Sequence, residues 1–189
     1  MTFLVEIKGI FMLLKLEKIF DRFSDWLGYF TGTLMILMML NVFYDVIMRY
    51  FFRTGSIALQ ELEWHIFSVV FLVGISYAVK ADGHVRVDVI YDNLNPKKKA
   101  IINLVGTIVF LIPFSLLIAF GSIDFLLEAY NTHEISGDPG GLTHRWIIKA
   151  FVPGSFFLLT FCSVGTIVKN LNIINKYNGE RIDAVESVK

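Results

Sequence analysis

Four long apolar runs dominate the chain, at about 27–48, 62–80, 99–123 and 147–169, separated by segments rich in charge, Gly or Pro. A hydrocarbon core about 30 Å thick needs roughly 17 to 25 helical residues, so each run can cross it once. Inside lipid a backbone must satisfy its own hydrogen bonds, which makes a helix the structure for runs of this length. The third run is the cleanest, interrupted only by Pro113. A membrane helix tolerates such a proline as a kink when neighbours satisfy the freed carbonyl.

Upstream of the first run the pattern changes. Phe3, Ile7, Ile10, Phe11 and Leu14 recur at helical spacing, while Lys8, Lys15, Lys18 and Arg22 crowd another face. Glu17, Lys18, Asp21, Arg22 and Asp25 make continuous insertion costly. The spacing therefore predicts an amphipathic helix over about 3–24 lying on the inner leaflet, the alternative being a plain extension of the first span. The expected fold is an all-α integral membrane protein, one domain over 1–189, with four transmembrane helices plus this N-terminal amphipathic interfacial helix. Aromatic residues at the run ends, among them Trp26, Tyr44, Trp64, Tyr77, Tyr130 and Trp146, suit the headgroup region and support the same count.

Composition agrees. The chain is 55% hydrophobic and 18% charged, where a soluble domain carries about 25% charged residues. Its 17 basic and 17 acidic residues cancel, so net charge offers nothing to nucleic acid. Their placement is informative. Basic residues concentrate before the first run, between the second and third, and after the fourth, whereas the other two loops hold only Arg49, Arg53 and Arg145. The positive-inside rule then predicts a multi-pass protein of the bacterial inner membrane with both termini cytoplasmic. The run Gly9 to Leu14 is too short for a secretory signal core. The single Cys162, inside an apolar run, excludes a disulfide framework within one chain.

Ionisable residues avoid the span centres and gather at the ends. Carriers that work alone place such residues or broken helices near the bilayer midplane, where a dehydrated substrate needs polar partners. Asp45 and Arg49, four apart, share a helix face and can pair. Glu61 and Glu63 open the second helix, where carboxylates suit the positive end of its dipole. These residues either anchor the first hairpin or pair with another membrane subunit. In the second loop His84 and Asp88 fall at i, i+4, with Arg86 between them, and a short helix with Val87, Ile90, Tyr91 and Leu94 on one face is expected. Two ligands do not make a metal site, and four histidines at one span end and in loops cannot supply paired axial ligands to a haem. No cofactor is expected. The third loop contains Asp138-Pro139-Gly140-Gly141-Leu142, a tight folded turn that either shapes the last hairpin or docks a partner. No nucleophile, base and orienting acid stand together, so no enzyme is expected.

Taken in order, these motifs resemble the small membrane subunit of tripartite ATP-independent periplasmic (TRAP) transporters. The resemblance rests on Arg49-Tyr50, Glu61-Leu62-Glu63-Trp64, Gly83-His84-Val85-Arg86-Val87-Asp88, Glu134-Ile135-Ser136, Asp138-Pro139-Gly140-Gly141-Leu142, Arg145-Trp146 and Lys149, spaced around four spans. The Gly-rich turn with Arg145-Trp146 and Lys149 is similar to the branch labelled for mannitol or chloroaromatic compounds. The resemblance implies an accessory scaffold subunit of a sodium-coupled secondary transporter for an organic acid or related small solute. Its partners would be a large membrane subunit, a periplasmic substrate-binding protein and membrane lipids. The candidate contact or structural residues are Asp45, Arg49, Glu61, Glu63, His84, Arg86, Asp88, Asp138, Pro139, Gly140, Gly141, Arg145 and Lys149. Two other classes compete: an autonomous small transporter or channel, self-associating through Gly28 and Gly32, and a non-transport membrane assembly factor.

Overall fold

A computed structural model describes residues 2–81, 91 and 93–186, and the side chains of residues 12–81, 91 and 93–176. Four long helices account for nearly all of them: α1 (Thr2–Phe51), α2 (Ile57–Lys80), α3 (Pro96–Asn131) and α4 (Trp146–Glu186). Each contains a stretch long and apolar enough to cross a membrane, as the hydrophobic pattern requires.

Local chemistry sets the boundaries. Ser56 is extended and its hydroxyl accepts the Leu59 N–H at 3.4 Å, capping α2. Asn95 does the same for α3, accepting the Lys98 N–H at 2.9 Å with Pro96 in the first turn. Helix α1 stops where Arg53 takes a left-handed conformation and the Thr54 N–H turns back to the Met48 carbonyl. In α3 the sequence leads one to expect a kink at Pro113, and the irregularity lies just before it. Thr107–Leu111 form a π turn, in which the Ile112 N–H reaches the Thr107 carbonyl five residues back. Widening the helix there accommodates a proline that has no N–H to donate. A second break at Ser122 separates Ile112–Gly121 from Ile123–Asn131.

Helix α4 is the centre of the assembly. It packs against α1, α2 and α3, and α1 also packs on α2, while α3 makes no comparable contact with α1 or α2 among the described residues. Leu27, Val69, Val73 and Cys162 form the buried core of the α1–α2–α4 group. Elsewhere the contacts rely on small residues: Ser76, Ser115, Ser163 and Ala119 are fully buried. Small side chains let helices approach closely in lipid, where no hydrophobic force drives them together. Ser115 and Thr160 share a hydrogen bond of 2.8 Å across α3 and α4, and the Asn41 amide donates to the Leu59 carbonyl at 3.0 Å across α1 and α2. Gly28 lies under the Tyr77 ring of α2, so that glycine serves packing within the chain.

The amphipathic N-terminal stretch is not set apart as an element of its own. Helix α1 is unbroken from Thr2 to Phe51, on the order of 75 Å at 1.5 Å per residue. No Gly or Pro between Phe11 and Leu27 would break it, and its residues are held along α4. Phe20 and Phe23 meet Phe161 at ring distances of 5.1 and 5.5 Å, and the Asn172 amide donates to Glu17 at 2.5 Å. Lys80, ending α2, donates to the Asp21 carbonyl at 3.0 Å and to Asp25 at 2.5 Å. These pairs put the starts of α1 and the ends of α2 and α4 at one end of the bundle.

Candidate functional site at the loop end of the bundle

At the opposite end, the connection from α3 to α4 is a folded structure rather than a slack link. Asp138 to Gly141 form a turn with Pro139 and Gly140 at its centre, closed by the Gly141 N–H on the Asp138 carbonyl at 3.0 Å. Gly140 has φ +86°, the value that a type II turn demands at its third residue and that favours glycine. The Ser136 N–H bonds to the Leu142 carbonyl at 3.1 Å, and the Ser136 hydroxyl accepts the Asp138 N–H at 3.1 Å.

Glu61, from the first turns of α2, fastens this loop. One carboxylate oxygen accepts the Ser136 hydroxyl; the other accepts the Leu142 N–H at 2.5 Å. Such charge-assisted bonds are stronger than neutral ones. Gly141 is required by the same clamp, because a Cβ there would stand 2.5 Å from Ser136 Cβ and 2.7 Å from Glu61 Oε2. Next to it Glu134 receives Lys149 Nζ at 2.5 Å and faces Arg145 Nε at 3.7 Å. Lys149 also sits 4.0 Å above the Phe125 ring, and Tyr130 meets Trp146 edge-on at 5.5 Å. Glu61, Asp138, Pro139, Gly140, Gly141, Arg145 and Lys149 thus belong to one constellation drawn from α2, α4 and the loop that precedes α4. Glu134 and Ser136, which the sequence marks only as part of a motif, are the acceptor of its cations and the hydroxyl that ties the turn to Glu61. The signal available was their place beside Gly and Pro in a loop whose charges had to go somewhere.

Asp45, Arg49 and Glu63 form a separate group between α1 and α2. Arg49 pairs with Asp45 Oδ2, as the four-residue spacing predicts. Asp45 is 4% exposed, and its Oδ1 is buried without a hydrogen-bond partner. Both residues line an open cleft of about 340 Å³ with Val42, Gln60, Glu63 and Trp64. His65 Nδ1 and Ser76 Oγ are likewise buried without partners. His84, Arg86 and Asp88, with the short helix expected around them, lie outside the described residues.

These features define a multi-pass helical membrane component whose charged groups brace the ends of its helices. The sequence profile of the family "Tripartite ATP-independent periplasmic transporters, DctQ component" matches residues 38–172, and the chain belongs to that family. A Haemophilus influenzae protein described as a TRAP transporter small permease is 31% identical over 128 residues, covering 68% of this chain and 80% of the relative. A second protein of that description and organism is 26% identical over 154 residues, 80% of this chain and 89% of the relative. The sialic acid TRAP transporter permease protein SiaT of Haemophilus influenzae is 31% identical over 134 residues, which are 70% of this chain but 20% of that protein. The chain is therefore an accessory membrane subunit of a TRAP transporter, a multi-pass inner-membrane protein working with a large permease and a periplasmic binding protein. Its family is one of transporter subunits rather than of enzymes.

Proposed function

We propose that this chain is the stationary frame of a secondary transporter that takes up an organic acid or related small solute on an ion gradient, sodium in particular. The observation that carries the reading is the division of polar groups. Ionisable residues hold the helix ends together, and most hydroxyls within the spans turn back on their own helices, as Thr31 does on the Leu27 carbonyl at 2.9 Å and Ser163 on that of Leu159 at 2.7 Å, while Ser115 and Thr160 also bond each other and Ser76 Oγ is buried without a partner. A path for a dehydrated solute requires polar groups turned toward it near the midplane. Both termini face the cytoplasm, following the basic residues, and the Gly-rich loop faces the periplasm. The basic N-terminal turns of α1 rest at the inner-leaflet headgroups. Asp45, Arg49, Glu63 and the loop centred on Pro139 are gripped from the periplasmic side, and His84, Arg86 and Asp88 from the cytoplasmic side. The relative that is named for sialic acid transport is in keeping with an acidic solute.

Reconstitution tests this directly. Liposomes holding this chain alone, the large subunit alone, or both, are given the binding protein, a radiolabelled organic acid and an imposed sodium gradient. Uptake is expected only with both membrane subunits and only with the gradient. Uptake by this chain alone would make it an autonomous carrier, and uptake indifferent to sodium would remove the proposed coupling.

A further inference from the structure

Among the described residues apolar side chains are left exposed on all four helices, and two of the faces they form are long. One is on α1, where Ile36, Met39, Phe43, Val46 and Tyr50 follow one another at intervals of three and four and are all exposed. The other is on α3, through Val109, Phe110, Phe114 and Leu117. Apolar exposure does not tell them apart, since lipid satisfies both equally. The charged cleft does, because the α1 face runs into it through Val46 and Tyr50.

Asp45 makes that cleft unfinished. Its Oδ2 is taken by Arg49, but Oδ1 has no donor although the residue is 4% exposed. It lies six residues before the end of α1 at Phe51, about 9 Å down the helix. Arg49 balances one of the two carboxylates that line the cleft, and covering the other calls for a further cation. Charge points the same way: Asp45 and Glu63 line the cleft against Arg49, an excess of one negative charge. Tyr50 and Trp64, 77% and 72% exposed, stand at its rim beside Arg49. Tyr, Trp and Arg are the residues that dominate binding energy at protein interfaces. The apolar seam below the cleft has the spacing by which one helix receives another.

We infer that the α1–α2 cleft, rather than the α3 face, receives the large membrane subunit, through a helix of that subunit bearing a Lys or Arg at the depth of Asp45. The inference rests on the companion-subunit reading and adds to it the face and the chemistry of contact. The partner's cation enters the cleft beside Glu63 and balances the excess negative charge of the Asp45–Arg49–Glu63 group, while its apolar side lies along Ile36, Met39 and Phe43. A lipid headgroup ammonium is the competing occupant, but it would have no use for a seam of helix-packing spacing.

The test uses the co-expressed complex, isolated by a tag on this chain. A photo-crosslinking amino acid replaces Phe43 or, separately, Phe110, and an Asp45→Asn variant is made alongside. Expected are crosslinks to the large subunit from position 43 and none from position 110. Asp45→Asn should lower recovery of the large subunit at least about tenfold, while the isolated variant elutes as the native chain does. Crosslinking from position 110 but not 43, crosslinks from 43 to lipid alone, or undiminished recovery with Asp45→Asn would each overturn the inference. Should the Asp45→Asn chain aggregate, the two crosslinking positions, which leave the cleft unaltered, decide between the faces. Failure of the unmodified chain to recover any large subunit would instead sink the companion-subunit reading itself.

Discussion

Replacing Gly165 with Ala should push the start of α1 away from α4. A Cβ at this position would stand 2.6 Å from Phe20 Cβ and 2.9 Å from Phe20 Cγ. Carbon atoms pack best at about 3.5 to 4.0 Å, so roughly 1 Å of separation must be found. The nearest atom is bonded directly to the α1 backbone, and no side-chain rotation can move it aside. The helices themselves must shift, and overpacking of this kind costs about 1 to 3 kcal/mol. Ala is also a better helix former than Gly by about 1 kcal/mol, so the proper references are Gly32→Ala and Gly154→Ala, where a Cβ meets nothing within 4 Å. Thermal unfolding of the purified chains in detergent measures the difference. At about 2 to 4 °C per kcal/mol for a chain of this size, Gly165→Ala should melt at least about 2 °C below both references. Adding Phe20→Ala should not restore the loss, because Ala keeps the clashing Cβ. A Gly165→Ala chain that melts with the references would mean that Phe20 is not seated on α4, and that the N-terminal turns are free to lie elsewhere.

Three further outcomes are expected. Glu61→Gln replaces an acceptor of two bonds by an amide whose NH₂ confronts the loop's own donors; hydrogen exchange at the Leu142 amide should accelerate, and unchanged protection would remove Glu61 from the clamp. Ser115→Ala and Thr160→Ala should each destabilise the α3–α4 contact by about 0.6 to 1.7 kcal/mol, with the double variant costing less than the two added together; full additivity in thermal unfolding would show that the hydroxyls do not interact. Gly140→Val forces a branched side chain into φ +86°, a strain of about 1 to 3 kcal/mol. It should lower uptake by the reconstituted transporter, and undiminished uptake would leave the turn an ordinary connector.

The four spans were legible because lipid imposes a single requirement that a sequence meets locally. Each crossing must be apolar for some twenty residues and must satisfy its own backbone. The Asp45–Arg49 pair was legible for the same reason, since a four-residue interval on a helix is a local matter. Reading the N-terminal stretch as an interfacial helix rather than as an extension of the first span was a different kind of inference. It came from the cost of inserting Glu17, Asp21 and Asp25, but the structure keeps the helix whole and gives Glu17 the Asn172 amide and Asp25 the Lys80 ammonium. Those partners lie 155 and 55 residues away along the chain. No reading of one helix could find them.

The loop end shows the same boundary. Pro139 and Gly140 announced a tight turn by their own backbone preferences, which are properties of single residues. That Glu61 reaches across from α2 to fasten this turn, that Gly141 is glycine because the same carboxylate passes beside it, and that Glu134 collects Lys149 and Arg145 were decided by packing. Sequence alone determined how many times the chain crosses the membrane, where its turns fall and which family it resembles. Tertiary structure decided that α4 is the centre, that α3 makes no comparable contact with α1 or α2 among the described residues, and that Asp45 Oδ1 is buried without a donor. The physical reason is reach: backbone conformation and hydropathy act within a few residues, whereas charge satisfaction and close packing depend on which distant side chains the fold brings within a few ångströms.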